Sequence, residues 1–548
     1  MKGVNHEQKK DYDAVIIGGG HMGLTLGVYL QRAGMQTAIF ERRHEEGSAI
    51  FTSECTAPGF LHNLHAQYME FLEWMPIWYD FDLPKFGARS LYPSAQAGLP
   101  FSDGRPPLII YSVEKEENYE KTYKSVAQYS KHDAETLVDL LKKLQEIKNV
   151  FAQGWYNPPP IPTPEDPEPD NQGGIMLLQQ IGLPTRISKM TTKDTVDYLF
   201  ESDEMRAMFY RLGVEWGAGL DIDGSGAGLF AAIGLFYFNW QLMVGGTHTL
   251  AHAMEMAGVN EGMEFFESNE VVKVLLEGKK AVGVQLKDGT KVYAKLVASN
   301  AEIEGTMLRM VGEENLSPLW VKRVKDFEIG PSCVLGSTAM ALHEAPDFKS
   351  ARWNPDINKA FYTIVGFDSA AELYEYCHDA HSGKIPKTYG EGIWVNSLWD
   401  PTYAPPGKHS LTGWIFLPKA SSQSREKWEE IRSTWNDNFL KNFERFAPNM
   451  TKDNIIDDFF YTPQDQEDEM RLMEGDFCNG GVKSSQRGHN RPFPEAAQYR
   501  TEIENLYLCG PFMHPGGGAS AGPGYNCFKI IAEDFGLDKF WEKLDRGY

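Results

Sequence analysis

An α/β fold, in which one largely parallel sheet is entered three times by the chain and interrupted by a second, α+β domain, is predicted by three observations. A strand–glycine turn–helix–strand unit occupies residues 12–45. Residues 245–300 pass from Gly245-Gly246-Thr247 through a helix near 249–257 into short alternating strands at 270–276 and 281–286. Residues 505–535 read as strand, loop and helix. Between them lie two stretches, about 90–240 and 330–470, rich in Trp, Tyr and Phe and without this pattern. A chain that leaves and re-enters one layer twice accounts for all five pieces. The boundaries are set at 1–90, 245–330 and 470–548 for the layer, and at 91–244 and 331–469 for the interrupting domain.

The first unit carries the most information. Asp13-Ala14-Val15-Ile16-Ile17 is a short apolar run of the kind that forms a buried parallel strand. It leads into Gly18-Gly19-Gly20-His21-Met22-Gly23. In such a turn Gly18 permits the tight reversal, Gly20 lets a pyrophosphate approach the backbone, and Gly23 lets the helix sit close to the strand. Leu24, Val28 and Leu30 are apolar positions of that helix, and Gly34 is placed to end it. A second strand, Thr37-Ala38-Ile39-Phe40, delivers Glu41 about 18 residues beyond Gly23, where a carboxylate accepts from ribose hydroxyls. Strand, helix and timed acid together predict a Rossmann-like dinucleotide site, which a bare glycine motif does not.

That turn does not separate FAD from NAD, whereas residues 505–535 do. Asn505-Leu506-Tyr507-Leu508-Cys509-Gly510 is a strand ending in glycine that can join the first sheet. Gly522-Pro523-Gly524-Tyr525-Asn526 then opens an apolar helix through Phe528, Ile530, Ile531 and Ala532. Backbone N–H groups at such a helix start suit the N1–C2=O edge of a flavin, where reduction places negative charge. A nicotinamide enzyme needs no such piece, so FAD is the expected cofactor.

The sequence resembles the phytoene desaturase-type FAD-dependent oxidoreductases, and most of all the branch called pyridine nucleotide-disulfide oxidoreductase domain-containing protein 2. The resemblance rests on Gly18 to Leu24, Glu41-Arg42-Arg43-His44, Gly245-Gly246-Thr247, Val297-Ala298-Ser299-Asn300-Ala301 and Arg491-Pro492-Phe493-Pro494-Glu495. Tyr499-Arg500-Thr501, Asn505 to Gly510 and His514-Pro515-Gly516-Gly517-Gly518 complete it, in the family's order. It implies an FAD domain of the type shared with amine oxidases, interrupted by a substrate domain. The cofactor contacts it implies, together with the motifs above, are Gly18, Gly20, Gly23, Glu41, Arg42, Val271 (holding adenine through its backbone), Gly510, Pro511 and Gly522. Where the desaturases usually carry a glycine pair and an arginine beside the flavin, this chain has Glu46-Gly47-Ser48-Ala49-Ile50, and Pro511-Phe512-Met513 precedes His514. Both departures touch the isoalloxazine side, so neither substrate nor reaction direction carries over. His62 and His65 fall where the family's chain passes the flavin, as a neutral-range base or as hydrogen-bonded structure. Tyr525 is the remaining catalytic candidate, as a donor to a carbonyl or as packing, and His514 is read as holding the loop over the flavin.

Composition narrows the partners. The 548 residues are 42% hydrophobic and carry a net charge of −23, which repels nucleic-acid phosphates. Residues 1–10 contain no apolar h-region, and the longest apolar stretch, 229–244, is interrupted by Asn239 and Gln241. It reads as a buried helix, with a membrane-dipping segment as the alternative, so the protein is expected in the cytoplasm or peripheral to a membrane. Six dispersed cysteines without a CxxC pair indicate neither a disulfide framework nor zinc, and no His, Cys or Asp cluster shows metal-ligand spacing. The proline-rich stretch 157–171 is read as a stiff exposed loop. Trp240, Tyr237 and Phe238 are candidates for a cavity lining, with ordinary core as the stronger alternative. The expected activity is oxidoreduction of a neutral hydrophobic small molecule, chiefly desaturation of a C–C bond in a terpenoid-like or alicyclic compound by hydride transfer to flavin N5. Oxygen, a quinone or a carrier protein would accept the electrons. A redox-neutral flavin-dependent isomerase or hydratase is the alternative, and a binding protein of the Rab GDP-dissociation inhibitor type a distant one.

Overall fold

The computed structural model describes residues 11–70, 72, 74–215, 217, 219–226, 229, 239–330, 334–481 and 483–544. Tyr12–Ile17 forms strand β1, buried over its last four residues. Helix α1 (His21–Arg32) and strand β2 (Thr37–Phe40) follow, and β2 lies parallel to β1 with Ile17 opposite Phe40. Glycine makes this crossover tight. Gly18 adopts φ +93°, and a Cβ on Gly23 would stand 2.3 Å from the Gly18 carbonyl oxygen. α1 therefore rests directly on the strand, with Leu24, Val28 and Leu30 fully buried.

The chain returns to this sheet after helix α2 (His248–Asn260). Strand β3 (Glu264–Phe266) pairs in parallel with β2. β4 (Val271–Glu277) and β5 (Lys280–Leu286) form a hairpin. β6 (Lys291–Ser299) serves twice: its first residues pair antiparallel with β5, its last run parallel to β1. A late strand, β7 (Leu506–Leu508), joins the other side of β6 in parallel, and helix α3 (Gly522–Phe535) follows. The order is β3-β2-β1-β6-β5-β4, with β7 on β6. α3 packs on α1 so closely that a Cβ on Gly524 would lie 2.1 Å from the Met22 carbonyl oxygen.

The aromatic-rich stretches build a second sheet of seven strands. Its order is Ile455–Tyr461, Leu335–Leu342, His409–Phe416, Glu391–Trp394, Tyr362–Val365, Ala95–Leu99 and Leu108–Tyr111. Neighbours are antiparallel except Tyr362–Val365 and Ala95–Leu99. One sheet is thus mainly parallel and the other mainly antiparallel, the α/β plus α+β division expected. The proline-rich stretch is largely exposed, but its end enters a helix, Pro169–Gln180, with proline in the first turn where no N–H is missed. Among the described residues no helix is long and apolar enough to cross a membrane. Most of 229–244, including Tyr237 and Phe238, lies outside the described residues.

Candidate functional site

A cavity of 740 Å³ opens at the C-terminal ends of β1 and β2 and reaches the second sheet through Leu335 and Trp414. One part of it is formed by Gly18, Gly20, Glu41, Arg42, Val271 and Asn300. Gly20 is the N-cap of α1 and offers no side-chain hydrogen bond, and no acid stands in the first turn. The helix's first N–H groups are therefore available to an anion, reinforced by the helix dipole. Glu41 is buried, and its Oε2 and Oε1 accept from the backbone N–H groups of Gly19 (2.7 Å) and Arg43 (2.8 Å). Those two bonds hold the carboxylate at the rim, each oxygen keeping capacity for a further donor. Asn300 Oδ1 is buried at the same wall with no hydrogen-bond partner. Gly23 stands beneath the turn, where its role is packing.

The residues 511–519 close over the glycine turn. Pro511 and Gly516 to Ala519 line the cavity, and His21 Nε2 meets the Gly518 carbonyl at 3.1 Å. Gly510 and Gly522 are buried behind this lining, each fitted to a neighbour that a side chain would strike: the Phe512 ring at 2.6 Å and Pro515 at 2.9 Å. His514 Nε2 lies 3.2 Å from the Gly154 carbonyl, tying this loop to the root of the proline-rich stretch. Arg491 is buried and donates to the main-chain carbonyls of Cys478, Asn479, Gly480, Gln486, Pro511 and Met513. A guanidinium has five N–H groups. Arg491 is thus fully committed to shaping the loop.

The other part of the cavity is aromatic. Tyr68, Trp414 and Phe477 line it, with Trp414 5.4 Å from Phe477 and 6.0 Å from Tyr68 between ring centres. Three polar side chains absent from the sequence-based candidates also face it: Gln67, Glu70 and Glu215. Burial pushes the Glu70 carboxyl up to about 8. Burial likewise raises Glu215 to about 7, against the opposing pull of Arg211. Glu215 Oε1 accepts from Arg211 Nε (3.2 Å) and from the Tyr362 hydroxyl, while Oε2 has no hydrogen-bond partner. The sequence carries no local signal that marks Glu215 or connects it with the glycine turn.

The three catalytic candidates separate. His65 lines the cavity, its carbonyl held by Trp414 Nε1 at 2.8 Å, and burial lowers its imidazole to about 3, so it is neutral. His62 is buried away from the lining among Thr56 (2.8 Å), Ser410 (3.2 Å) and Thr412 (3.4 Å), also neutral at about 3. Tyr525 is buried in the α1–α3 contact, its ring 5.0 Å from that of Tyr29. Trp240 is core, one layer behind Tyr68 at 4.9 Å.

Residues 16–81 match the family described as NAD(P)-binding Rossmann-like domain. The chain is similar over almost its whole length to a subunit of the limonene dehydrogenase of Castellaniella defragrans, at 28% identity covering 98% of this chain and 97% of that one. It is 26% identical to pyridine nucleotide-disulfide oxidoreductase domain-containing protein 2 of Mus musculus, covering 97% and 95%. Among solved structures, a triple mutant of putrescine oxidase redesigned in its cofactor binding shares the fold with a TM-score of 0.60 at 13% identity, covering 96% of this chain and 98% of that one.

Proposed function

We propose that this chain, an oxidoreductase of the phytoene desaturase-type group, binds FAD along the cavity and dehydrogenates a C–C bond of a neutral, terpenoid-like or alicyclic substrate. The residues present fit that cofactor. The uncapped α1 N-terminus suits a pyrophosphate, Glu41 a ribose, and the unpartnered Asn300 Oδ1 a ligand hydroxyl. Bound FAD supplies the hydride acceptor.

The chain's own residues then do three things. Tyr68, Trp414 and Phe477 enclose an apolar substrate and exclude water. Arg42, Arg43, Arg309, Arg471 and Arg491 all line the cavity. Arg43 is paired with Glu45, Arg309 with Glu302, and Arg491 has no N–H left, so none of these three offers the free fork that an acidic substrate would need. Glu215 takes the proton from the carbon next to the one losing hydride, forming an O–H bond at Oε2 while Arg211 and Tyr362 hold Oε1. A carboxyl near 7 is well matched to that task at neutral pH. The observation that carries this reading is the pairing, in one cavity, of a dinucleotide cradle with an aromatic compartment holding a neutral-range acid.

The test is anaerobic bleaching of the purified flavoprotein by limonene and other alicyclic hydrocarbons, alcohols and ketones, set against amino acids and acyl-CoA esters. Bleaching by members of the first panel alone is expected. A protein that neither carries nor binds FAD, or one bleached preferentially by an acid, would sink the proposal.

A further inference from the structure

Glu46, His248 and His252 converge outside the cavity, on the far side of the loop that follows β2. His248 and His252 are one helical turn apart on α2 and leave the same face, their rings 6.3 Å apart between centres. Glu46 reaches them from a distant part of the chain. Its Oε1 stands 3.3 Å from His248 Nε2 and 3.4 Å from His252 Nδ1. This corrects the expectation of no metal-ligand spacing, since i and i+4 histidines are such a spacing once a third ligand is folded onto them.

Several observations indicate more than an ion pair. Glu46 is 3% exposed, and its Oε1 is buried with no hydrogen-bond partner. Both N···O distances are longer than an ordinary N–H···O bond of about 2.9 Å. They match instead the edge of a zinc tetrahedron, since ligands about 2.0–2.1 Å from the ion lie roughly 3.3 Å from one another. Behind the cluster, Glu45 Oε2 lies 4.0 Å from the other nitrogen of His248, where metal-bound histidines commonly meet a carboxylate. Glu255 and Glu267 each bring a carboxylate oxygen within 4.8 Å of Glu46, so the local field favours a cation. The His252 side chain is 56% exposed and leaves a way in from solvent.

We propose that Glu46, His248 and His252 form a binding site for a divalent transition ion of the zinc class, with water in the fourth position. The ion would staple α2 to the loop that backs the glycine turn. Gly47 donates its N–H to the Gly19 carbonyl at 2.9 Å, and a Cβ on Gly47 would lie 2.7 Å from that of Ala251, between the two histidines. The site is independent of whether the cavity holds FAD.

Untagged full-length protein, stripped with a chelator, is titrated with ZnCl2 by calorimetry and followed by thermal melting. One ion per chain, bound tighter than about 10 μM, with a higher Tm, is expected. His252→Ala, at a half-exposed position, should weaken binding at least tenfold, as should Glu46→Gln. His378→Ala, removing an exposed histidine that pairs with Asp221 elsewhere, should leave it unchanged. Binding weaker than this, fewer than one ion per chain, or a His252→Ala protein that titrates like the parent overturns the proposal.

Discussion

The two parts of the cavity are built from opposite materials. The nucleotide part is backbone: a helix start without a cap, a glycine turn, and one carboxylate held by two N–H groups. The aromatic part is side chain, assembled from Tyr68, Glu215, Trp414 and Phe477, which come from four separate stretches. The first can be kept by any chain that preserves a short local pattern, whatever it acts on. The second is free to vary residue by residue, which is where members of one fold can diverge in substrate.

Substitutions can probe either part alone. Removing the proton acceptor should cost most: Glu215→Gln is expected to lower the rate of substrate-dependent flavin reduction by about 10²–10⁴-fold while the protein keeps its FAD. A variant that loses flavin along with activity would show Glu215 to be structural. Glu41→Ala removes a charged acceptor worth about 1.5–3 kcal/mol, so FAD titration should show a ten- to hundredfold weaker complex, with chemistry in saturated enzyme intact. Unchanged affinity would remove Glu41 from the ribose.

Acidity gives a third, intermediate effect, with opposite signs for turnover and stability. Glu70 and Glu215 have folded-state values raised to about 8 and about 7 from the ordinary 4.5. Raised carboxyls favour the protonated form in the folded protein. Their stabilising contribution is therefore complete below about pH 4.5 and is lost as pH rises through 7 and 8. Melting temperature should fall over that range while kcat/KM rises through about 7 as Glu215 ionises. A flat melting profile would show these acids to be solvated.

Two smaller effects separate wall from compartment. His62→Asn should leave turnover unchanged and cost stability of about 1–3 kcal/mol, because His62 is bonded within the wall and does not face the cavity. NADH at micromolar concentration should not reduce the flavin rapidly. The second glycine pair, Gly245-Gly246, is there for packing: a Cβ on Gly246 would meet Thr52 Oγ1 at 2.2 Å. Fast, saturable reduction by NADH would reveal a nicotinamide site.

These differences follow what the sequence makes legible. Gly18 to Glu41 could be read residue by residue because a dinucleotide turn is local, and its strand, helix and acid are found where their spacing places them. The late strand and helix, 506–508 and 522–535, were equally plain. The second sheet was not, since its strands are buried runs whose partners are chosen by tertiary packing. Of His62 and His65, three residues apart, only one faces the cavity, which no periodicity could decide without knowing the local backbone path. Glu215 escaped notice because an acid's burial is invisible until the elements around it are in place. His248 and His252 carried a readable spacing, but their third partner comes from residue 46.

The placement of β7 has a consequence for biosynthesis. His21 and Gly518, which meet across the turn, are 497 residues apart, and β6 gains its neighbour β7 only when residues 506–508 have left the ribosome. At roughly 5–20 residues per second, the glycine turn emerges about 25–100 s before the strand and loop that complete its pocket. Throughout that interval the face of α1 that receives α3 has no native cover, nor has the apolar edge of β6 from the time residues 291–299 emerge. Completion of the pocket is thus set by the arrival of this late strand and not by the early appearance of the glycine turn.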